Sequence, residues 1–180
     1  MLIRPAAAQD LPAVHAFYAH HVLHGLASFE EVAPPLEEMR RRLEAVTGDG
    51  LPYLVAEEKA EVLGYGYCTL YRTRSAYRYT LEDSIYVKHG RQRKGIGKAL
   101  LAELILRCEK LHYRQIIAVI GDSANAASIG VHASLGFVRA GNLRSTGYKF
   151  GRWVDSVLMQ LPLGSGDMTS PRGPGDGSPP

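Results

Sequence analysis

Cysteine is scarce in this chain of 180 residues, which has only two, Cys68 and Cys108. Two cysteines offer neither a disulfide framework nor the ligand spacing of a structural metal site. Cys68 falls in a predicted strand and Cys108 on the apolar stripe of a predicted helix. We therefore expect both side chains to be small buried hydrophobic residues.

Long apolar runs and long charge tracts are also missing. No segment approaches the roughly 20 apolar residues that span a bilayer, and the amino-terminal segment lacks an apolar run with a cleavage site. The net charge is only +3, and the basic residues gather in one segment rather than in extended tracts. We expect a cytoplasmic protein that has neither a membrane nor a nucleic acid as its main partner.

The length and a hydrophobic content of 46% suit one compact domain over residues 1–163. Residues 164–180 are almost entirely Gly, Ser, Pro, Asp and Thr, which predicts a disordered tail. The chain is expected to have an α/β fold of the α+β kind, with its strands in one central sheet. Strands are predicted over 2–4, 53–57, 62–71, 79–87, 115–120, 138–143 and 154–161, and helices after a cap at Asp10, after Pro35, over 98–110 and from Asn125.

The segment Ser84–Leu101, SIYVKHGRQRKGIGKALL, joins a β-prone stretch to a helix through a basic, glycine-bearing turn. The turn, residues 92–97, has the pattern QxxGxG. Backbone N–H groups at a helix N-terminus, the helix dipole and basic side chains together favour a phosphate-bearing ligand. The alternative from the motif alone is an ordinary strand-to-helix turn with a solvated basic face. The apolar residues that fall on one stripe of the predicted helix are Ile96, Leu100, Leu104, Cys108 and Leu111.

A second motif, NAASIGVHASLGF, begins at Asn125 and follows a short strand, QIIAVI. The two motifs in this order resemble the acetyl-CoA signature of the GNAT superfamily of N-acetyltransferases. The stretches YTLEDSIYV, AVIGDSANAASIGVH and GYKFGRWVD resemble its phosphinothricin acetyltransferase-like branch. The resemblance covers Leu2–Leu161 and implies the GNAT fold, a mixed, mostly antiparallel sheet that splays open at the cofactor site and is flanked by helices.

The resemblance also implies how acetyl-CoA, the expected cosubstrate, is held. The backbone of residues 85–87 would pair with the pantetheine amides where the sheet opens, and residues 93–98 would surround the pyrophosphate. Asn125 and Ser128 are candidates for hydrogen bonds to the pantetheine arm, although both residue types are also common helix caps. The cofactor candidates are therefore Ile85, Tyr86, Val87, Arg93, Lys94, Gly95, Ile96, Gly97, Lys98, Asn125 and Ser128.

An amine attacks a thioester only as the free base, so the site needs a group that takes a proton. Glu82 is the candidate, because it shares a strand face with Ser84 just upstream of the cofactor backbone, and the resemblance implies the same role. A surface carboxylate at a strand end is the alternative for Glu82, and Asp83, which faces the opposite way, is the second candidate base. His132 occupies the place where many superfamily members carry a tyrosine that protonates the departing CoA thiolate. A histidine hydrogen-bonded to the core is the alternative for His132.

The acceptor side is predicted from the loop before the Glu82 strand. Arg72 and Arg74 match basic positions that, in the resembling enzymes, help to bind the acidic end of an amino-acid-like substrate. Phe29 and Tyr77 are candidates for an apolar wall, or they simply cover the core. The expected acceptor is the α-amino group of a small amino acid analogue such as phosphinothricin, methionine sulfone or methionine sulfoximine.

Other interpretations stay open from the sequence. An acetyltransferase for protein N-termini or other amines would share the motifs, and a non-catalytic acyl-CoA-binding module would keep the turn but lack a working base. Direct transfer in a ternary complex is expected, since neither cysteine lies in a nucleophile motif. His20 and His24 are four residues apart, but without an HExxH motif they predict the end of the first helix and no metal. The resemblance implies a homodimer.

Overall fold

The computed structural model of this chain describes residues 1–171. The strands in that range are β1 (Leu2–Pro5), β2 (Tyr53–Glu58), β3 (Glu61–Leu70), β4 (Thr80–Val87), β5 (Gln115–Gly121), β6 (Val138–Lys149) and β7 (Arg152–Pro162), and the α-helices are α1 (Leu11–His24), α2 (Leu36–Gly48), α3 (Ile96–Lys110) and α4 (Ala126–Ala133). The seven strands form one sheet in the order β1-β2-β3-β4-β5-β7-β6. Neighbouring strands are antiparallel except β4 and β5, which are parallel. The predicted mixed, mostly antiparallel sheet is therefore confirmed.

The two parallel strands run side by side only over their first residues. The ladder joins Thr80–Asp83 to Gln115–Ala118. Beyond it, β4 continues along β3 as far as Val87, while β5 continues along β7 as far as Gly121. The strands separate at this point, so the sheet opens between them.

Two glycines of β3 bring α3 close to one face of the sheet. A β-carbon at Gly64 would lie 3.1 Å from Ile96 Cγ2, and one at Gly66 would lie 3.1 Å from Leu104 Cδ1. Contacts this short leave no room for a larger side chain without a shift of the helix. The glycines therefore fix α3 against the strand that precedes β4.

The opposite face of the sheet carries a cluster of tyrosines. The Tyr86 ring stacks on Tyr65 and meets Tyr18 of α1 edge-on, with ring centroids 5.1 Å apart in each pair. Because side chains alternate along a strand, Glu82 lies on this tyrosine face and Asp83 lies on the face of α3.

The structure corrects two details of the predicted helices. Asp10 occupies the predicted N-cap position of α1, but its side chain does not cap the helix, since the carboxylate accepts hydrogen bonds from the Ala7 N–H and from the Arg4 guanidinium, at 2.8 Å and 2.7 Å. A charged donor competes successfully for the carboxylate that the helix would have used. Leu111, predicted on the apolar stripe of α3, lies beyond that helix, because α3 ends at Lys110, and Leu111 is 38% exposed.

The closing hairpin is longer than predicted. The strands expected over 138–143 and 154–161 extend to Lys149 and back to Arg152, although the ladder is irregular between Leu143 and Gly147. The turn that joins them is only Phe150 and Gly151, both with positive φ. Most of the segment GYKFGR, predicted as a connection, is therefore strand.

The two cysteines are fully buried, and their sulfur atoms lie 3.5 Å apart. The predicted burial of both is confirmed. No helix within residues 1–171 is long and apolar enough to cross a bilayer.

Part of the segment after β7 contacts the domain. The Arg114 guanidinium donates to the carbonyls of Gly166 and Thr169. The rest of the predicted tail, residues 172–180, lies outside the described residues.

Candidate active site

A groove of about 220 Å³ runs between the separating strands and the start of α3. It meets a smaller cavity of about 60 Å³ at the point where β4 and β5 part, and the two share Ala27, Ile85, Asn125, Ser128 and His132 in their walls. Most of the predicted cofactor residues lie in this groove: Ile85, Val87, Arg93, Gly95, Ile96, Gly97, Lys98, Asn125 and Ser128. Tyr86 lines only the smaller cavity, and Lys94 is exposed beside the turn.

The turn before α3 has the backbone of an anion site. Gly95 has φ of +79° and Arg93 has φ of +60°, so the chain reverses tightly before the helix begins. The Ala99 N–H donates to the Gly95 carbonyl, and the N–H groups of residues 96–98 precede it at the helix start. Helix N-termini leave such groups without intrahelical acceptors and add the positive end of the dipole. The turn can therefore hold a phosphate group through its backbone.

Two of the basic residues near the turn form ion pairs with a carboxylate, and the others do not share that partner. Lys88 and Arg91 both pair with Glu61, at 2.5 Å and 3.1 Å. The single Glu61 carboxylate offsets one of these two positive charges and binds both side chains, so attraction of an anion rests mainly on Arg93 and Lys98, with Lys94 close by.

Alternate residues of β4 turn their backbone groups toward the opening. The Lys88 N–H donates to the Leu63 carbonyl, which makes these two residues a hydrogen-bonded pair of the antiparallel ladder. Because bonded pairs alternate with non-bonded pairs, Tyr86 bonds to β3, whereas the backbone of Ile85 and Val87 points away from β3. Of the three predicted residues, Ile85 and Val87 therefore offer amide and carbonyl groups to a ligand.

One of these carbonyls already has a partner on α1. His21 Nε2 donates to the Val87 carbonyl at 3.0 Å. Burial lowers the pKa of His21 despite this hydrogen bond. The neutral ring with its proton on Nε2 therefore forms one wall of the groove.

Asn125 acts as the cap of α4. Its side-chain carbonyl accepts a hydrogen bond from the Ser128 N–H at 3.1 Å. The cap interpretation of Asn125 is confirmed, and the Ser128 hydroxyl, 3.5 Å from His132 Nδ1, faces the same groove.

Both ring nitrogens of His132 have partners within the protein. Nδ1 lies 2.7 Å from the Ser128 carbonyl, which can only accept, so this nitrogen carries a proton. Nε2 lies 3.0 Å from Asp83 Oδ2. Burial lowers the pKa of His132, but the hydrogen bond and charge of Asp83 and the Ser128 carbonyl outweigh it, and the net pKa is raised. The ring is therefore stabilised as an imidazolium beside a buried carboxylate.

Glu82 lies on the other face of the sheet, where β4 begins to separate from β5. Burial raises the pKa of this half-buried carboxyl; the charge of Arg72 opposes the rise and that of Asp83 adds to it. A raised pKa makes a carboxylate a better proton acceptor near neutral pH. Glu82 pairs with Ile117, and the ladder ends one pair later at Asp83 and Ala118, so this carboxylate lies one residue pair from the sheet opening.

The predicted acceptor residues lie on the face of Glu82. The Arg72 guanidinium covers the Tyr71 ring at 4.3 Å, and the Tyr71 and Tyr77 rings meet edge-on at 5.8 Å. The positive charge of Arg72 lowers the pKa of Glu82. Arg74 is exposed in the same loop.

Phe29 lies against the end of β5, between α1 and α2. A β-carbon at Gly121 would lie 3.1 Å from Phe29 Cε1, and one at Gly147 of β6 would lie 2.5 Å from Phe29 Cε2. Glu82 of β4 pairs with Ile117 of β5. Residues two apart on a strand share a face, so Val119 and Gly121 lie on the same face of the sheet as Glu82. Phe29 therefore lies on the face of Glu82, beside Gly121, which is four positions along β5 from Ile117, the register partner of Glu82.

The histidines of α1 cluster with one residue of the cofactor loop. The His20 ring lies 4.9 Å from His24 and 4.5 Å from His89 by ring centroid. Within residues 1–171, no group of three or more His, Cys, Asp or Glu side chains is arranged to hold a metal ion. As predicted, α1 ends at His24.

Sequence reasoning missed three features of the site. The ion pair of His132 with Asp83 joins residues 49 positions apart, the His21 bond to Val87 joins residues 66 apart, and the buried Lys149 contacts Gly25, 124 positions away. The sequence marks Asp83 and His132 only as candidates, and it gives no signal that Lys149 is buried.

Comparison with known proteins fits this geometry. A family model described as an acetyltransferase (GNAT) domain matches residues 3–158. The chain is 57% identical over 169 residues to a phosphinothricin N-acetyltransferase of Alcaligenes faecalis, covering 94% of this chain and 86% of that protein. It is 39% identical to an L-methionine sulfoximine/L-methionine sulfone acetyltransferase of Salmonella typhimurium, covering 91% of this chain and 95% of the relative.

A solved structure with the same fold contains the cosubstrate. The GNAT superfamily phosphinothricin acetyltransferase of Sinorhizobium meliloti, in complex with AcCoA, superimposes with a TM-score of 0.92 at 46% identity and covers 95% of this chain and 92% of that one. The splayed sheet, the glycine turn before α3 and the matched family model agree. This chain is a member of the GNAT family of acetyltransferases.

Proposed function

We propose that this enzyme transfers the acetyl group of acetyl-CoA to the α-amino group of a small amino acid analogue of the phosphinothricin, methionine sulfone or methionine sulfoximine type. The observation that carries the proposal is Glu82, a half-buried carboxyl with a raised pKa at the edge of the sheet opening. The two related enzymes named above act on acceptors of this kind, which supports the acceptor class.

The groove fits acetyl-CoA by its chemistry. The helix start at Ile96–Lys98 supplies N–H groups for the pyrophosphate, and Arg93, Lys94 and Lys98 supply positive charge. The outward backbone of Ile85 and Val87 supplies partners for the pantetheine amides. The thioester would then enter the opening between β4 and β5, where the smaller cavity meets the groove.

Glu82 is the proposed base of the transfer. The acceptor ammonium gives a proton to Glu82, directly or through water, and the amine lone pair attacks the thioester carbonyl carbon. The new C–N bond forms, the C–S bond breaks, CoA leaves as the thiolate, and the nitrogen of the new amide gives its second proton to solvent. Because acceptor and cosubstrate approach from opposite faces, the opening brings the two reactants together without a covalent intermediate.

His132 is the proposed source of the proton for the departing thiolate. Its raised pKa favours the protonated ring, and His132 lines both cavities. Donation requires Nε2 to leave Asp83. The positive ring also favours negative charge on sulfur before the proton moves.

The buried cysteines support direct transfer. Cys68 has no exposed surface, and the hydrogen bond with Cys108 together with burial raises the pKa of its thiol well above the usual value. A nucleophilic cysteine needs the thiolate and access to the substrate. Cys68 meets neither condition, and Cys108 is fully buried as well.

The acceptor is proposed to bind beside Glu82. Arg72 and Arg74 would hold its carboxylate and phosphinate or sulfone oxygens, for which a planar guanidinium is suited. Phe29 and Tyr77 would form the apolar wall around its side chain.

We propose a homodimer and a cytoplasmic location. The β6–β7 hairpin exposes Trp153, Phe150 and Tyr148 by 64%, 58% and 59%, and exposed aromatic clusters are typical of protein interfaces. Light scattering at two concentrations tests the assembly. Two free thiols are the state that a reducing compartment maintains.

The function is tested by thiol release from acetyl-CoA with a panel of amines. We expect turnover with methionine sulfone, methionine sulfoximine and phosphinothricin, and loss of turnover in Glu82→Gln. Preference for peptides with a free N-terminus would favour a protein N-terminal acetyltransferase. Binding of acetyl-CoA without acetylation of any amine in the panel would favour a binding module.

A further inference from the structure

Lys149 is a buried cation without a carboxylate partner in its immediate contacts. It ends β6, is 1% exposed, and its Nζ donates to the carbonyls of Gly25 at 2.9 Å and Ser28 at 2.7 Å. A buried ammonium is costly unless its donors are satisfied. The chain therefore fixes this side chain against one particular segment, the loop of residues 25–30.

The loop that Lys149 holds carries Phe29. Ser28 is also tied from α1, because the Tyr18 and Ser28 hydroxyls lie 3.0 Å apart, and the Ser28 Oγ accepts from the Glu30 N–H at 3.2 Å. Lys149 and Tyr18 thus hold the residue that immediately precedes Phe29 from two sides.

Two glycines leave the space in which the Phe29 ring lies. A β-carbon at Gly147 would be within 2.5–2.9 Å of three atoms of the ring. A β-carbon at Gly121 would collide with the carbonyl of Leu26 in the same loop. Side chains at either place would displace the loop, so the ring position depends on both the glycines and the anchor.

We propose that Lys149 is a positioning residue for the acceptor: by clamping residues 25–28 it sets Phe29 as a rigid wall of the acceptor pocket. The inference rests on the proposed function, since it assigns Phe29 to the pocket beside Glu82. Ala27 of the clamped segment also lines the groove, but the cosubstrate contacts proposed above lie on β4, α3 and α4, which Lys149 Nζ does not contact. The larger effect is therefore expected on the acceptor.

A purely structural role for Lys149 predicts a different result. A general loss of stability would weaken the binding of both the acceptor and acetyl-CoA. That weakening would be the same with or without the Phe29 side chain. A clamp that acts through Phe29 affects the acceptor selectively, and its effect disappears when the aromatic ring is absent.

The test compares Lys149→Met, Phe29→Ala and the double variant in full-length protein, with exposed Lys110→Met as the matched control. Steady-state kinetics give KM for methionine sulfone, and calorimetry without acceptor gives the Kd for acetyl-CoA. We expect Lys149→Met to raise the acceptor KM by about tenfold or more while the acetyl-CoA Kd changes by less than about twofold. In the Phe29→Ala background, Lys149→Met should cause no further rise in the acceptor KM.

Gly147→Ala serves as the second variant if Lys149→Met does not fold. It leaves Lys149 in place but displaces the ring, so it should raise the acceptor KM by a similar factor. The proposal is overturned if Lys149→Met weakens both substrates equally, if its effect persists in the Phe29→Ala background, or if Gly147→Ala leaves the acceptor KM unchanged. Absence of turnover in the wild type would instead overturn the proposed function.

Discussion

His132 Nε2 lies 3.0 Å from Asp83 Oδ2, and this buried pair lies at the floor of the sheet opening. Asp83 comes from β4 and His132 from α4, so the pair ties the opened strand to the helix that closes the groove. The second carboxylate oxygen of Asp83, Oδ1, is buried without a hydrogen-bond partner within residues 1–171. The charge of the carboxylate is therefore directed mainly at the imidazole.

Replacement of Asp83 by Asn should lower the pKa of His132. The carboxylate raises that pKa against the opposing effect of burial, so without the charge, burial acts with less opposition. NMR titration of the His132 ring measures the change, with Asp49→Asn as a control at an exposed residue. A His132 pKa that is unchanged in Asp83→Asn would contradict the pairing.

The same pair predicts how stability depends on pH. The folded pKa of His132 is raised above its unfolded value, so its stabilising contribution is complete below the unfolded pKa of about 6.5. The contribution is lost as pH rises through the folded pKa. Urea unfolding should therefore show that the destabilisation caused by Asp83→Asn is larger at pH 6 than at high pH.

The local features of the site were predictable because they depend on neighbouring residues. The QxxGxG turn needs positive φ at Gly95 and a helix immediately after it, and both requirements are visible in consecutive residues. The same holds for Asn125, whose cap is completed by Ser128 three positions later. Strand periodicity likewise put Glu82 and Asp83 on opposite faces.

The long-range contacts were not predictable from one sequence. Lys149 lies in a segment that reads as a polar connection, and only the extended β6–β7 hairpin brings its Nζ to Gly25 and Ser28. The missing side-chain cap at Asp10 has the same origin, because Arg4, whose guanidinium binds the Asp10 carboxylate, belongs to β1. In each case a tertiary contact overrides the preference of the local sequence.

Glu82→Gln should reduce kcat by about a hundredfold or more, since an amide cannot accept the proton of the acceptor ammonium. The wild-type rate should fall as the pH drops through the raised pKa of Glu82, because protonation removes the base. This fall of the rate at low pH, the acidic limb of the pH profile, should be absent in Glu82→Gln. The measurement is kcat/KM for the acceptor between pH 5 and 9.

The matched control for Glu82 is Glu103→Gln, a carboxylate of α3 that pairs with Arg107 at 2.9 Å on the helix surface. It should keep both the rate and the acidic limb. A Glu82→Gln enzyme with the full rate across this pH range would exclude Glu82 as the base.

Arg72→Ala should change both acceptor binding and the pH profile. Loss of a charge-assisted hydrogen bond predicts an acceptor KM raised by about tenfold. Because the charge of Arg72 lowers the pKa of Glu82, its removal should also move the acidic limb to higher pH. Arg78→Ala in the same loop, where Arg78 bonds to the Ser75 carbonyl, is the control. An unchanged KM together with an unmoved limb would remove Arg72 from the pocket.

The two glycines of the turn should respond differently to alanine. Gly95 has φ of +79°, so Gly95→Ala should lower the free energy of unfolding by about 1–2 kcal/mol. A β-carbon at Gly97 would lie 3.6 Å from Val87 Cγ2, an ordinary contact, so Gly97→Ala should fold normally. If the pyrophosphate approaches the helix start closely, Gly97→Ala should still weaken acetyl-CoA binding by about tenfold. Calorimetry and urea unfolding on both variants separate the effects, and normal acetyl-CoA affinity in Gly97→Ala would contradict close approach at that residue.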